Sequence, residues 1–82
     1  MASLNQTVQL SYPHVVKLSR KLGVKDGRRQ ELMSWLSQNN ITTWNGMGFN
    51  GACHINHAWD VVRFRKQEDK FLFVLSCGHL IN

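Results

Sequence analysis

Two strand-like runs, residues 52–66 and 70–77, flank a strongly polar turn at residues 67–69. Runs of β-branched and aromatic residues bounded by polar clusters are typical of paired strands. The cross-strand pairs that follow are Arg65 with Lys70, Phe64 with Phe71, and Val62 with Phe73. One face of such a hairpin is mostly apolar. The sequence therefore predicts a C-terminal β-hairpin that packs this face on the rest of the chain.

The N-terminal half predicts a short strand followed by a helix. Residues 7–12 alternate between apolar and polar types over the length of a short strand. Pro13 suits the first turn of a helix, because the first N–H groups of a helix are unpaired and proline has none. Apolar residues then recur at helical spacing until Gly23, a residue type at which helices often end. A first helix is therefore predicted at residues 13–22.

A second helix is predicted at residues 27–38. Asp26 can cap it, because its carboxylate accepts hydrogen bonds from free backbone N–H groups and complements the positive end of a helix. The β-branched and aromatic residues that follow predict a strand at residues 41–44. Closely spaced glycines then predict a turn-rich loop at residues 45–51.

Length and composition limit how these elements combine. A chain of 82 residues is expected to build one hydrophobic core, and so a single domain at 1–82. We predict an α+β fold in which two N-terminal helices pack on a small antiparallel sheet centred on the C-terminal β-hairpin. So short a chain has little stability to spare for a deep cleft, which favours a shallow binding surface over an enzyme active site.

The expected location is cytoplasmic. No segment has the roughly 18 uninterrupted apolar residues of a membrane-spanning helix, and no membrane contact is predicted. The polar start at residues 1–6 lacks the basic and apolar regions of a signal peptide. The two cysteines are too few for a disulfide framework, so both are expected to be reduced.

Positive charge is concentrated in the first half of the chain. Residues 1–40 carry six Lys and Arg against two carboxylates, a net charge of +4. Residues 41–82 carry four against three, a net charge of +1. A local positive field attracts phosphate backbones and acidic protein surfaces, and it accelerates encounter with both.

Residues 18–24, followed by the second predicted helix, resemble the middle of a helix-turn-helix motif. Ser19 and Gly23 match the small residue and the turn glycine, which lie four positions apart in that motif. Arg29 departs from the motif, which buries an aliphatic residue at that position. The resemblance implies that Arg28, Arg29 and Gln30 approach a DNA groove, while Lys17, Arg20 and Lys21 contact phosphates.

The outer face of the predicted hairpin offers a second cationic surface. Trp59 would stack there on a base, while Arg63 and Arg65 would hold the backbone. We therefore predict a small, basic, non-enzymatic binding module that contacts nucleic acid or a nucleic-acid-associated partner. The predicted contact residues are Lys17, Arg20, Lys21, Arg28, Arg29, Trp59, Arg63 and Arg65.

A protein inhibitor of a host nucleic-acid enzyme is the alternative function, of the kind that phages and plasmids encode. Arginine and aromatic residues are enriched at the energetic centres of protein interfaces, and the chain has three tryptophans. Such an inhibitor would bind an acidic surface of its target. The sequence predicts neither the oligomeric state nor the identity of the partner.

Cysteines and histidines raise two further alternatives, a zinc site and a Cys/His catalytic pair. These residues are Cys53, His54, His57, Cys77 and His79. In the predicted pairing, Cys53 and His57 point to one face and the other three to the opposite face, so a four-ligand site would need a bulge. A buried strand cysteine is normally unreactive, and no residue supplies an oxyanion site. We predict no metal, no cofactor and no catalytic residue.

Overall fold

The structure is a computed structural model and describes residues 4–44 and 51–81. The elements, in chain order, are helix α1 (Leu4–Ser11), strand β1 (His14–Lys17), helix α2 (Gly27–Gln38), strand β2 (Cys53–Ile55), strand β3 (Val61–Phe64), helix α3 (Gln67–Ser76) and helix α4 (Gly78–Ile81). The strands form one antiparallel sheet in the order β1-β3-β2. A small α+β fold with an antiparallel sheet is confirmed, but its arrangement differs from the predicted one.

Strand β3 is the centre of the sheet and separates two different faces. Val62 and Phe64 are fully buried, whereas Arg63 between them is only half-buried. The register places Val16 beside Val62 on the inner face and His54 beside Arg63 on the outer face. The predicted alternation along this part of the chain is therefore confirmed, since Val62 and Phe64 do face the core.

The side chain of Asn56 shapes the tight connection between β2 and β3. Its Oδ1 accepts hydrogen bonds of 3.0 Å from the backbone N–H groups of both Asp60 and Val61. Trp59 lies within this connection with a φ of 57°, in the left-handed region. Because the bonds to Asn56 fix the backbone on the C-terminal side of Trp59, they compensate for the strain of a large residue in that conformation.

The hydrophobic core lies between the inner face of the sheet and helices α2, α3 and α4. Phe73 of α3 packs its ring 5.5 Å from that of Phe64 and 5.4 Å from that of Trp35, so it joins the sheet to α2. The buried residues of this core are Val16, Leu18, Leu22, Leu32, Leu36, Ile41, Cys53, Val62, Phe64, Phe73, Cys77 and Leu80. Within the described ranges, no helix is both long and apolar enough to cross a lipid bilayer.

Helix α2 confirms the second predicted helix in both position and cap. The Asp26 carboxylate accepts a hydrogen bond of 3.0 Å from the Arg28 backbone N–H, as expected of an N-cap residue. Leu32 and Leu36, four residues apart, are the buried residues of the helix. Met33, next to Leu32, is exposed by 38% and lies outside this buried stripe.

The predicted strand at 7–12 and the predicted helix at 13–22 are both wrong, because the helix comes first and the strand follows it. Residues 7–11 belong to α1, whereas residues 14–17 form β1 and the residues after them form a connection. Val8 and Tyr12 are both buried, and a spacing of four places them on one face of a helical turn. Pro13 ends this helix instead of starting the next, because the residue before a proline is disfavoured in the α conformation.

The predicted strand at 70–77 is also wrong, because these residues belong mostly to α3. Glu68 and Asp69 lie in its first turn, where their negative charge complements the helix dipole. The predicted cross-strand pairs therefore do not exist, and Phe64 contacts Phe73 instead of Phe71. The sheet is centred on β3 and not on a C-terminal hairpin, and two of the helices lie in the C-terminal half.

The predicted strand at 41–44 is reduced, in the described residues, to a single parallel bridge between Thr43 and Cys53. Gly51 packs directly against this segment, since a Cβ atom on Gly51 would lie 2.5 Å from the Trp44 backbone nitrogen. Only glycine allows such a close approach. The rest of the predicted loop at 45–51 lies outside the described residues.

Candidate nucleic-acid interface

Residues 17–29, hereafter the basic segment, include the end of β1, the connection to α2 and its first turn. The segment carries six cations against the single carboxylate of Asp26, which gives it a net charge of +5. Four of the cations are exposed and the last two are half-buried; in order they are Lys17, Arg20, Lys21, Lys25, Arg28 and Arg29.

Buried leucines and backbone hydrogen bonds hold the basic segment on the fold. Leu18 and Leu22 are part of the core, so the cations between them are directed outward. The backbone N–H groups of Leu18 and Leu22 donate to the carbonyl oxygens of Asp60 and Trp59, at 2.8 and 3.0 Å. Ser19 is bound in the same way to α4, at 2.9 Å. The backbone positions from which the charged side chains extend are therefore set in advance of any binding event.

Asp26 organises the second half of the basic segment. Its Oδ2 lies 3.1 Å from Nη2 of Arg20, and its Oδ1 accepts from the Arg28 backbone N–H. The Arg28 N–H bond, together with the positive charges of Arg20 and Arg28, holds the pKa of Asp26 below its usual value. The carboxylate therefore stays ionised at neutral pH and offsets one of the six cations.

Arg29 is held by neutral groups instead of a carboxylate. Its Nη2 donates to the Leu22 carbonyl oxygen at 2.7 Å, and its guanidinium carbon lies 4.1 Å from the centre of the Trp59 ring. Within the described part of the chain, no carboxylate comes within ion-pair distance of Arg29. Its positive charge is therefore stabilised by a cation–π contact but not neutralised.

Trp59 does not lie on an exposed strand face beside Arg63 and Arg65, as the hairpin predicted. It lies in the connection between β2 and β3, half-buried against the core and covered by Arg29. The structure thus joins it to the basic segment instead of to the sheet face. Its partly covered ring fixes the position of Arg29 and is less open to stacking on a base than the prediction required.

Arg63 and Arg65 gather around Tyr12, on the outer face of the sheet. Arg63 donates to the Tyr12 carbonyl oxygen at 3.4 Å, and Arg65 donates to the Tyr12 hydroxyl at 3.3 Å. The Arg65 guanidinium also lies 4.9 Å from the centre of the Tyr12 ring and donates a hydrogen bond to the Gly51 carbonyl oxygen.

His54 lies beside Arg63 on the same face of the sheet. Burial and the neighbouring charge of Arg63 lower the pKa of His54, so that the imidazole is neutral at pH 7.

The eight predicted contact residues therefore divide into two groups. The structure places Lys17, Arg20, Lys21, Arg28 and Arg29 on the basic segment, with Trp59 against it, while Arg63 and Arg65 lie around Tyr12. The helix-turn-helix interpretation is wrong, because β1 occupies the place of its first helix. Sequence reasoning missed Lys25, although its position between Lys21 and Arg28 was the signal that could have identified it.

The cysteines lie apart from both groups. Cys53 and Cys77 are free and buried. Burial raises the pKa of the Cys53 thiol to about 12 and also raises the pKa of the Cys77 thiol. Both thiols are therefore protonated at neutral pH, which disfavours nucleophilic chemistry. In residues 4–44 and 51–81, no three His, Cys, Asp or Glu side chains come close enough together to bind a metal ion.

Comparison with protein-family models, curated proteins and solved structures finds no match. Chemically, the basic segment presents several ammonium and guanidinium groups from a backbone that the fold holds in place. Such groups bind anions by charge and by hydrogen-bond donation, and they bind best where anionic groups repeat at regular spacing.

Proposed function

We propose that the chain is a small, basic, non-enzymatic binding module that contacts the phosphate backbone of nucleic acid through the basic segment. The observation that carries this proposal is the geometry of the segment, in which exposed cations alternate with leucines anchored in the core. One carboxylate faces six cations. The net positive field is therefore local, and it belongs to residues that the fold holds in place.

Fixed positions favour binding because less conformational freedom is lost when the complex forms. Three backbone hydrogen bonds hold the first half of the basic segment, and the Asp26 cap holds the second half. A flexible basic tail of the same charge would have to be ordered at the moment of binding. The proposal therefore assigns the contact to this segment, with Lys25 added to the residues predicted from the sequence.

A phosphate backbone fits the basic segment better than an acidic protein surface does. Protein interfaces usually have an apolar centre with aromatic anchors. Val24 is the exposed large aliphatic residue of the segment, and the nearest aromatic residue, Trp59, is partly covered by Arg29. A surface rich in cations and poor in apolar area is typical of contact with phosphates, which needs no apolar centre.

For Arg63 and Arg65, a binding role stays a prediction. Both guanidinium groups hydrogen-bond to Tyr12, which gives them a part in holding α1 on the sheet. We assign them a second, weaker contact area on the outer face of the sheet. Replacing them would disturb the fold as well as binding, so they do not provide the first test.

The salt dependence of binding tests the proposal directly. Affinity for mixed-sequence duplex DNA and for single-stranded RNA is measured over a range of salt concentrations. Each phosphate contact to duplex DNA makes log affinity fall with log salt by about 0.9, so three to five contacts give a slope of roughly −3 to −5. A flat response, or no binding at low salt, contradicts the proposal. Recovery of one stoichiometric protein partner would then favour the inhibitor alternative.

Two exposed lysines provide a matched pair for locating the contact. Lys21→Gln removes a cation from the basic segment, and Lys66→Gln removes one from the start of α3. Because both variants lower the net charge by one, a nonspecific charge effect would change them equally. We expect Lys21→Gln to reduce the salt slope by about one unit and Lys66→Gln to leave it unchanged. Equal losses in the two variants would place the contact elsewhere.

A further inference from the structure

Helix α3 is apolar on both of its sides, but the core covers only one of them. Residues 71–75 are five consecutive apolar residues, and Phe73 is the one of the five that is fully buried. The others remain exposed by 64% for Phe71, 47% for Leu72, 43% for Val74 and 73% for Leu75. A helix with apolar residues all round is normally buried on all sides. The outer face of α3, formed by these four exposed residues, therefore lacks a partner within the described residues.

The exposed area of the outer face is large for so small a chain. At about 150–250 Å² for a large side chain, the four residues leave roughly 400 Å² of apolar surface in water. Apolar patches of this size on a monomer are often binding sites. A homodimer that buried the whole patch, with the usual apolar share of about 65%, would bury roughly 600 Å² per chain. The total of roughly 1,200 Å² reaches the lower limit for specific protein complexes.

Charge distinguishes which partner fits the outer face. Lys66 and Lys70 are balanced by Glu68 and Asp69, so residues 66–76 carry no net charge. The rest of the chain carries the whole net charge of +5. A second copy that approached through most other surfaces would meet like charge, which repels, but α3 offers a neutral route with both signs at its first turn. An acidic partner, in contrast, would meet Glu68 and Asp69 beside the two lysines and no net positive charge.

From the area and the neutrality of this face, we infer that a second copy of the chain binds there and forms a twofold-symmetric dimer through α3. A cavity of about 340 Å³ lies along the face and is lined by His14, Gln67, Lys70, Phe71, Val74 and Leu75. In a twofold pair, the same surface serves both chains, so each chain offers the exposed Phe71 and the cavity beside it to the other.

Sedimentation equilibrium on the full chain, from micromolar to submillimolar concentration, tests the inference with a matched pair of leucines. Leu75 and Leu10 are both helical and exposed by 73% and 78%, but Leu10 lies on α1. The wild-type chain and Leu10→Glu are expected to dimerise equally well. Leu75→Glu places a carboxylate at the interface twice in each dimer and is expected to weaken dimerisation by about 100-fold or more.

Circular dichroism and urea unfolding at low concentration show whether both variants keep the fold. A wild-type chain that stays monomeric over the whole range overturns the inference and leaves the face for a different protein. Equal dimerisation of Leu75→Glu and Leu10→Glu also overturns it, because the interface would then lie elsewhere. The outcome is independent of the proposed nucleic-acid contact, since no nucleic acid is present.

Discussion

The basic segment and helix α3 are built in opposite ways on the same core. In the basic segment, two leucines fill the core, and the exposed cations lie beside them in a stretch of thirteen residues with a net charge of +5. In α3, Phe73 fills the core while four further apolar residues face outward from a region without net charge. One surface therefore favours anions and disfavours copies of itself, and the other has the opposite preference.

The difference shows that the exposure of a side chain does not by itself indicate which kind of partner a surface binds. Lys21 and Leu75 are both exposed, but water solvates an ammonium group favourably and an isobutyl group unfavourably. The first residue can remain in water without loss, whereas the second gains free energy from any apolar neighbour. We assign different partners to the two surfaces on the basis of this contrast. Substitutions on either surface test whether the contrast holds.

The largest effect is expected within α3, where two phenylalanines two positions apart have opposite environments. Phe73→Ala removes the ring that contacts both Phe64 and Trp35 and leaves a cavity in the core. It should lower the free energy of unfolding by about 3–5 kcal/mol. Phe71→Ala should change it by less than about 0.5 kcal/mol in the monomer. Urea unfolding at low concentration measures both. Similar losses for the two variants would mean that the outer side of α3 is packed, and the contrast between the surfaces would disappear.

A smaller effect is expected where the basic segment meets Trp59. Arg29→Met keeps an apolar chain over the ring but removes the donor to the Leu22 carbonyl oxygen and the cation–π contact. Losing both should lower the free energy of unfolding by about 1–2 kcal/mol, which urea unfolding measures.

Arg28→Met is the control for Arg29→Met, because it removes the same charge one residue away. Arg28 is bound to Asp26 through its backbone N–H, which the substitution leaves in place. Its effect on unfolding should stay within about 0.5 kcal/mol. If the two variants are equally destabilised, Arg29 does not anchor the segment, and its cations are less fixed than the proposed function requires.

The sequence predicted a helix correctly where its capping residue and the spacing of its apolar residues both matched the face that the core buries. For α2, the Asp26 cap and the spacing of Leu32 and Leu36 both indicate a helix, and the core then buries that stripe. The shorter segments offered no such agreement. Residues 71–75 are continuously apolar, so no period separates strand from helix, and only the acidic residues before them indicate a helix start.

The turn at Asn56 explains why the predicted hairpin lay in the wrong place. The prediction of one strand over residues 52–66 is wrong, because the Asn56 side chain binds two backbone N–H groups and divides the run into β2 and β3. A side chain that replaces backbone partners in this way leaves the pattern of apolar residues almost unchanged. The alternation of residues 61–64 was visible in the sequence, whereas the identity of their neighbours was not.

The candidate site was predictable only where its residues are close in sequence. The cations of the basic segment are concentrated within thirteen residues, so the cluster is visible in the sequence itself. The contact of Arg29 with Trp59 and that of Arg63 with Tyr12 join distant parts of the chain. Because the topology of the sheet creates such contacts, an error in strand order assigned Trp59 to the wrong group.

The smallest effect is expected from the single carboxylate of the basic segment. Asp26→Asn keeps an oxygen that can cap α2 but removes the negative charge that Arg20 and Arg28 stabilise. Since the pKa of Asp26 is lowered in the folded chain, the folded state binds fewer protons than the unfolded state in mild acid. The charge therefore adds stability at neutral pH, and this addition is lost as the pH falls through the lowered pKa.

Urea unfolding midpoints of the wild-type chain and Asp26→Asn, compared from about pH 6 to about pH 2, measure this effect. The wild-type chain should be slightly more stable at the upper end, and the difference should shrink as the pH falls below about 4, through the lowered pKa of Asp26. Other carboxylates titrate in both proteins and cancel in the comparison. A difference that stays constant with pH would show that Asp26 acts only as a hydrogen-bonding cap.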